Sequence, residues 1–358
     1  MGKKLAVLFL TLTLLSGFSG WYIATGIRAY SRYQQNEHCG GQSPVYICVQ
    51  APPAIFSAYY PYYVATHANL FTINYSSSSP ITLIVSANIV GFSQMETHTV
   101  NATTRVQSIS FTPLLNSQAL RKLTFEDNTW LHVSVTDAGH VYYVNDSPLL
   151  LHSRRVMQWI AANRLQIAAW VTPNDPAVIA LVKSAAAHLQ SEPATTPRAM
   201  IGYDNGRASS RAVIDQVDAI FDAMRLDYHI RYSQESVPYS GPGDTNVALQ
   251  NIKLPAEVLQ QGSGMCIELT ALLASAVENI GLDAEIVIIP GHAFLGVAVT
   301  QKDTQFEYWD AVQVNDKVAG DSANLWTDDE YQRNANQKQI VDTILISAAR
   351  KAYVGPML

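Results

Sequence analysis

Charged residues are sparse in this chain, and the basic ones never gather. Lys and Arg number 23 against 29 Asp and Glu, a formal net charge of −6. Neutralising a phosphate backbone takes clustered Lys and Arg, so a nucleic-acid partner is not expected. Phosphate-binding Gly-Lys loops, dinucleotide-binding glycine motifs and helix-loop-helix calcium loops are missing too, so no cofactor is implied. Cysteine occurs three times, with no Cys-x-x-Cys pair and no closely spaced second His, which argues against a zinc site. No internal repeat and no long low-complexity tract divides the chain.

What is present is apolar. Hydrophobic residues make up 48% of 358, the composition of a packed globular protein with room for two domains and an anchor. Lys3 and Lys4 precede an uncharged run from Leu5 to Ile27, closed by Arg28. At ~1.5 Å per residue such a run spans the ~30 Å hydrocarbon core of a bilayer. Gly17 and Ser19 offer a small-x-small cleavage pattern, so residues 1–27 read as a signal anchor or a signal peptide. Trp21 to Ala24 carry the apolar stretch past that point, which favours the anchor. The first reading gives a single-pass protein of the cell membrane with its main body extracytoplasmic; cleavage gives a secreted one. Cys39 and Cys48 lie in Cys-Gly-Gly-Gln-Ser-Pro-Val-Tyr-Ile-Cys and are expected to be bridged in an oxidising compartment. That leaves Cys266 as an odd thiol, either a small buried hydrophobe or a reactive group.

Residues 28–58 read as a polar stalk. From 59 to 151 the pattern is β, with β-branched residues over Ile81 to Phe92, a strand marked by Val106, Ile109 and Phe111, and a hairpin turn at Asp137-Ala138-Gly139. A small antiparallel β-sandwich is expected there. The aromatic cluster Tyr59, Tyr60, Tyr62 and Tyr63 is read as core or interface. Residues 152–198 read as a helical connector and linker. Its parts are a helical face of Val156, Met157, Ile160 and Leu165, a helix from Pro176 to Leu189 capped by Thr172 or Asn174, and a linker from Ser191 to Arg198. Residues 199–358 form the last domain, beginning with an amphipathic helix from Ser210 to Met224 and a loop from Tyr228 to Thr245.

Chemistry concentrates in this domain. Pro255 starts a short helix, and Gln261-Gly262-Ser263-Gly264-Met265 leads to Cys266. From there Leu269, Leu272, Leu273, Ala276 and Ile280 recur at helical spacing, and Gly281 ends the run. A thiol at a helix N-terminus is favoured as thiolate by unpaired N–H groups and the helix dipole, and those N–H groups can also bind an oxyanion. Strands are predicted at Ala284 to Ile289, His292 to Val299 and Phe306 to Val312. If the last two pair, His292 and Asp310 come to the same end of the sheet, where the imidazole can take the thiol proton and the carboxylate can orient it. The plainer readings are a core thiol for Cys266, a strand-end histidine for His292 and a strand-end carboxylate for Asp310.

Gly-Ser-Gly-Met-Cys-Ile-Glu, Ile-Pro-Gly-His-Ala-Phe-Leu-Gly-Val and Tyr-Trp-Asp-Ala together resemble the Cys, His and Asp motifs of the transglutaminase-like superfamily. The closer likeness is to an exported bacterial branch with an N-terminal β-domain. It extends to Gln250 through Leu259, to Trp170 through Pro176, and to Asp342, Ala349-Arg350 and Pro356. The resemblance implies an α+β chain whose last domain is papain-like, with the nucleophile on a helix and His and Asp on an antiparallel sheet. Its catalytic residues would be Cys266, His292 and Asp310, with Glu307 the substitute for the acid. Gln250 is an oxyanion-side amide by the same likeness, Gln260 a weaker one, and Gly264 and Glu268 support the nucleophile's turn. Two functions are implied. One is an exported cysteine-nucleophile hydrolase or acyltransferase that acts on peptide or protein amides through a thioester. The other is a catalytically inactive transglutaminase-like binding module of the cell envelope.

Overall fold

The computed structural model describes residues 37–191, 199–234, 248–301, 305–316 and 318–357. The apolar run of residues 5–27, most of the expected linker and the greater part of the expected loop before residue 245 lie outside the described residues. Among the described residues no helix is long and apolar enough to cross a membrane. The chain is mixed α+β with several sheets. It divides into two compact units, one of Met1–Ile55 with His67–His152 and one of Phe56–Thr66 with Ser153–Leu358.

The first unit holds two antiparallel sheets. One has the order β1 (Glu37–Gly40), β2 (Val45–Gln50), β4 (Phe71–Ser77), β7 (Gln107–Phe111). The other runs β3 (Ala54–Phe56), β9 (Val141–His152), β8 (Asp127–Thr136), β5 (Ile81–Ile89), β6 (Glu96–Ala102). Period-2 burial builds both: Val45, Ile47 and Val49 are buried while Tyr46 and Gln50 are exposed, and Leu83, Val85, Ala87 and Ile89 are wholly buried along β5. The segment expected as a stalk is therefore partly sheet. Cys39 and Cys48 face each other across β1 and β2 and are disulfide-bonded.

A second difference concerns Phe56–Thr66. The tyrosine cluster lies on and beside a helix, α1 (Tyr60–Thr66), with Pro61 in its first turn, where the missing N–H is not needed. Ala58 and Tyr59 are buried in the core of the second unit, and the Tyr59 hydroxyl accepts the Gln158 N–H at 2.9 Å. Within the first unit a short helix, α2 (Ser117–Lys122), precedes β8, with the Asn116 side chain as its N-cap.

In the second unit the expected helical face after Arg154 is instead β10 (Val156–Trp159), followed by a 3-10 segment from Ala161 to Trp170. The reason is tertiary: β10 pairs antiparallel with β12 (Ala248–Asn251), far along the chain, and Met157 and Trp159 are both buried. Helix α3 (Pro176–Ser191) begins as expected at Pro176, but its cap is Asp175, whose Oδ1 accepts the Ala177 N–H at 2.8 Å, rather than Thr172 or Asn174. Helix α4 (Ser210–Leu226) packs against it. A four-stranded antiparallel sheet comes next, in the order β16 (Phe306–Trp309), β15 (His292–Ala298), β14 (Ala284–Ile289), β17 (Asp342–Leu345). One face, with Ile286, Ile288, Leu295 and Trp309, shares the main core with helix α6 (Cys266–Asn279). The other, with Val287, Ile289, Phe294 and Tyr308, packs with Tyr331 of helix α7 (Gly320–Asn336). Covering both faces explains why β14 reads as an unbroken apolar run after Glu285. A last helix, α8 (Ile346–Lys351), carries Arg350, whose guanidinium donates to the Ala168, Val171 and Val354 carbonyls.

Candidate active site

Helix α5 (Pro255–Gln261) ends at Gly262, whose φ of +66° places it in the left-handed region that glycine adopts without a Cβ penalty. Ser263 and Gly264 form β13, which pairs in parallel with β11 (Arg231–Tyr232). Met265 caps the next helix and Cys266, half-buried, is its first residue. Gly264 sits in a tight place: a Cβ there would lie 3.0 Å from Leu269 Cδ2 and 3.2 Å from Glu268 Oε2, close enough that those side chains would have to give way. Glu268 fills that space. Its carboxylate reaches back to the Met265 N–H (2.9 Å) and across to the Lys253 N–H (2.7 Å), and the Lys253 ammonium sits 3.2 Å away. Burial raises its carboxyl above the ordinary range, even though those partners draw it down. The turn before Cys266 is thus tied from beneath.

The sheet supplies the other two groups. β14 and β15 meet through Pro290-Gly291, with Ile289 opposite His292, and Leu295 lies opposite Trp309. That register leaves Asp310, one residue past β16, at the same end of the sheet as His292. The imidazole Nε2 lies 2.8 Å from Asp310 Oδ2. Asp310 is buried, its Oδ1 accepts the Val312 N–H at 3.1 Å, and its own N–H donates to Thr327 Oγ1 at 2.9 Å. With Nε2 committed to the acid, Nδ1 is the ring nitrogen left for the thiol. Burial draws His292 down, but hydrogen bonds to Asp310 and Cys266, and the charges behind them, outweigh it and push the imidazole from 6.5 up to about 10. Glu307, the alternative acid, is hydrogen-bonded to Asp328 instead.

Cys266, His292 and Asp310 therefore come together, with Gly264 and Glu268 directly behind the thiol. Gln250 is nearby in a different role. Its Oε1 accepts the Trp159 indole N–H at 2.5 Å, and its Nε2 donates to Met265 Sδ at 3.4 Å, so the amide braces the residue before Cys266. Gln260 is near the end of α5 and exposed. Three participants were not picked out from sequence. Lys253 is held by Glu268, and Thr327 by Asp310. Tyr232 lies opposite Gly264 and packs towards the 3-10 turn after Asp310, where its hydroxyl is raised by burial and then by the charges of Cys266 and Asp310. Only the parallel pairing of β11 with β13 brings Tyr232 there, and nothing local signals it.

An imidazolium held between a thiol and a carboxylate can stabilise a thiolate, protonate a leaving amine and later activate a second nucleophile. Metal chemistry has no comparable cluster among the described residues. The single close grouping of potential ligands, Glu37 with Cys39 and Cys48, has both sulfurs committed to the disulfide. Compared with protein-family models and with curated proteins, the chain matches none.

Proposed function

We propose that the second unit is a transglutaminase-like, papain-like cysteine-nucleophile domain acting on amide bonds of peptides or proteins, as a hydrolase or acyltransferase. The observation that carries this reading is the position of His292, hydrogen-bonded to Asp310 and close enough to Cys266 for the thiol to raise its imidazole. Cys266 Sγ attacks the amide carbonyl, and its electron pair becomes the new C–S bond. N–H groups of the first turn of α6 receive the oxyanion. His292 gives its proton to the departing nitrogen as the C–N bond breaks, leaving a thioester. Water or an amine then attacks, His292 takes the proton released, and the thiol is restored. The Leu5–Ile27 run and the Cys39–Cys48 bridge support an extracytoplasmic site for this chemistry, with membrane attachment through the N-terminal segment.

The test is the reactivity of Cys266 towards iodoacetamide as a function of pH. A free thiol loses reactivity below its ordinary value of ~8.5, whereas a His-paired thiol keeps it into mildly acidic solution. Wild-type protein should alkylate at Cys266 at pH 6 at least ~10-fold faster than the His292→Ala variant. Cys266→Ala should fold and lose all cleavage or transfer. A Cys266 that resists alkylation, or shows a free thiol's profile, leaves the inactive binding module as the better account.

A further inference from the structure

Five exposed apolar side chains of the first unit gather at one end of its sheets, in or beside the turns that follow β5, precede β6, follow β7 and lead into β8. Phe125 is 79% exposed, Met95, Leu114 and Trp130 are each about half exposed, and Val90 nearly so. Backbone bonds make these turns neighbours. The Val90 N–H donates to the Trp130 carbonyl at 3.0 Å, the Gln94 N–H donates to the Leu114 carbonyl at 2.9 Å, and Ser93 bridges to Leu115. Leu123 at the end of α2 is buried, while Phe125, two residues on, is turned outward. The same end receives the chain. Glu37, the first residue of β1, lies in one row across the sheet with Gln50, Thr72 and Ser110, and β7 runs on from there through Phe111 towards Leu114. We infer that this end of the first unit lies on a phospholipid bilayer, with Phe125 and Trp130 seated at the level of the headgroups. The inference rests on the membrane attachment proposed for the N-terminal segment.

The tether decides the occupant. The apolar run ends at Ile27, and the stretch from Arg28 to Asn36 reaches at most ~32 Å even when fully extended. A unit held that close meets the bilayer at a high effective concentration, so an individually weak contact is populated. The tether joins β1 at the end that carries the five apolar side chains, so that is the end it brings to the surface. Tyr46, Val106 and Val141 are exposed as well, but they lie at the opposite end of the sheets. Phenylalanine and tryptophan suit the boundary: the rings leave water, and the indole N–H keeps a partner among headgroups or interfacial water. Arg121 and Lys122, both exposed in the last turn of α2, bring positive charge to lipid phosphates just before Phe125. Of the acids nearby, Glu126 is hydrogen-bonded to His152 and Glu96 to His98, each at 2.6 Å, and Asp127 is the exposed carboxylate that remains beside the basic pair.

Full-length protein in phospholipid vesicles tests this, with Cys266→Ala in the background so that one introduced thiol carries a fluorescent dye. Lipids spin-labelled near the headgroup should quench a dye at Phe125→Cys at least ~3-fold more than one at Val106→Cys, because Val106 lies beyond the other end of β7, ~17 Å from Phe111, and an interfacial side chain enters only ~5–10 Å. A dye at Leu114→Cys should be quenched like that at Phe125→Cys, and should lose most of the quenching when Phe125→Ser and Trp130→Ser are added. Both residues are exposed, so these changes spare the core. Sedimentation with the vesicles reads the attachment separately. Protein that sediments, but whose Phe125→Cys dye is quenched no more than the Val106→Cys dye, or is shielded from water without being quenched, overturns the inference and leaves the anchor in place. Protein that stays in the supernatant overturns both.

Discussion

Replacing Asp310 with Asn preserves volume in a buried position and inverts the hydrogen bonding that matters. The Asn Oδ1 can still accept the Val312 N–H, as Asp310 Oδ1 does at 3.1 Å. Its Nδ2 then faces His292 Nε2 as a donor. The imidazole must present a lone pair there and carry its proton on Nδ1, towards the thiol, which is the wrong tautomer for a base. The charge effect acts in the same direction. Hydrogen bonds and charges of Asp310 and Cys266 push His292 from 6.5 up to about 10 against the effect of burial. An opposite charge in contact is worth ~1–3 pKa units, so losing the Asp310 carboxylate predicts at least a ~10-fold loss of Cys266 alkylation rate at pH 6.5, and a larger loss of turnover. Linkage fixes the sign of the stability effect. An imidazole raised in the folded state lends stability that is complete below pH 6.5 and disappears as pH rises towards about 10, so the melting-temperature gap between wild type and Asp310→Asn should close over that range. Glu307→Gln, which keeps a partner for Asp328, should retain the wild-type rate near pH 6.5. Asp310→Asn protein that folds and alkylates at the wild-type rate refutes the assignment of the acid, and a loss confined to Glu307→Gln transfers the role.

Gly264→Ala places a Cβ against Leu269 and Glu268, and should lower stability by ~1–3 kcal/mol and slow alkylation of Cys266, read by thermal melting and labelling rate. Full-length protein should sediment with membranes while a chain starting at Gln34 stays in the supernatant, and a mature N-terminus mapped near Gly20 would show cleavage instead.

Legibility in the sequence depended on how local the cause was. Helix α6 could be read because Leu269, Leu272, Leu273 and Ala276 repeat at helical spacing behind a glycine turn. The sheet carrying His292 and Asp310 could be read because its strands are consecutive and joined by short turns. Residues 156–170 read differently for the opposite reason: Val156, Met157 and Ile160 fit a helical face, but β10 is fixed by pairing with β12, where Trp159 lies opposite Ala248 far along the chain. The tyrosines of 59–63 suggest strand by propensity, whereas Pro61 in the first turn of α1 is the helix signal. At β2 the alternation of Val45, Ile47 and Val49 was present and lost behind the stalk reading. Tyr232, Lys253 and Thr327 reach their partners only through tertiary pairing, which no window of sequence contains.

The place of Phe56–Thr66 in the second unit also sets an order of events during synthesis. These residues leave the ribosome between β3 and β4, both of which belong to sheets of the first unit. Tyr59 and Ala58 then have no core to enter until residues 67–152, and much of the chain beyond them, have been made. At ~5–20 residues per second that wait is on the order of ten seconds. During it an aromatic segment, with a hydroxyl whose eventual partner is the Gln158 N–H, is held out as a loop from whatever the first unit has formed. The core of the second unit therefore cannot be completed from the chain after Ser153 alone: it needs a segment made before the strands β4 to β9 of the first unit.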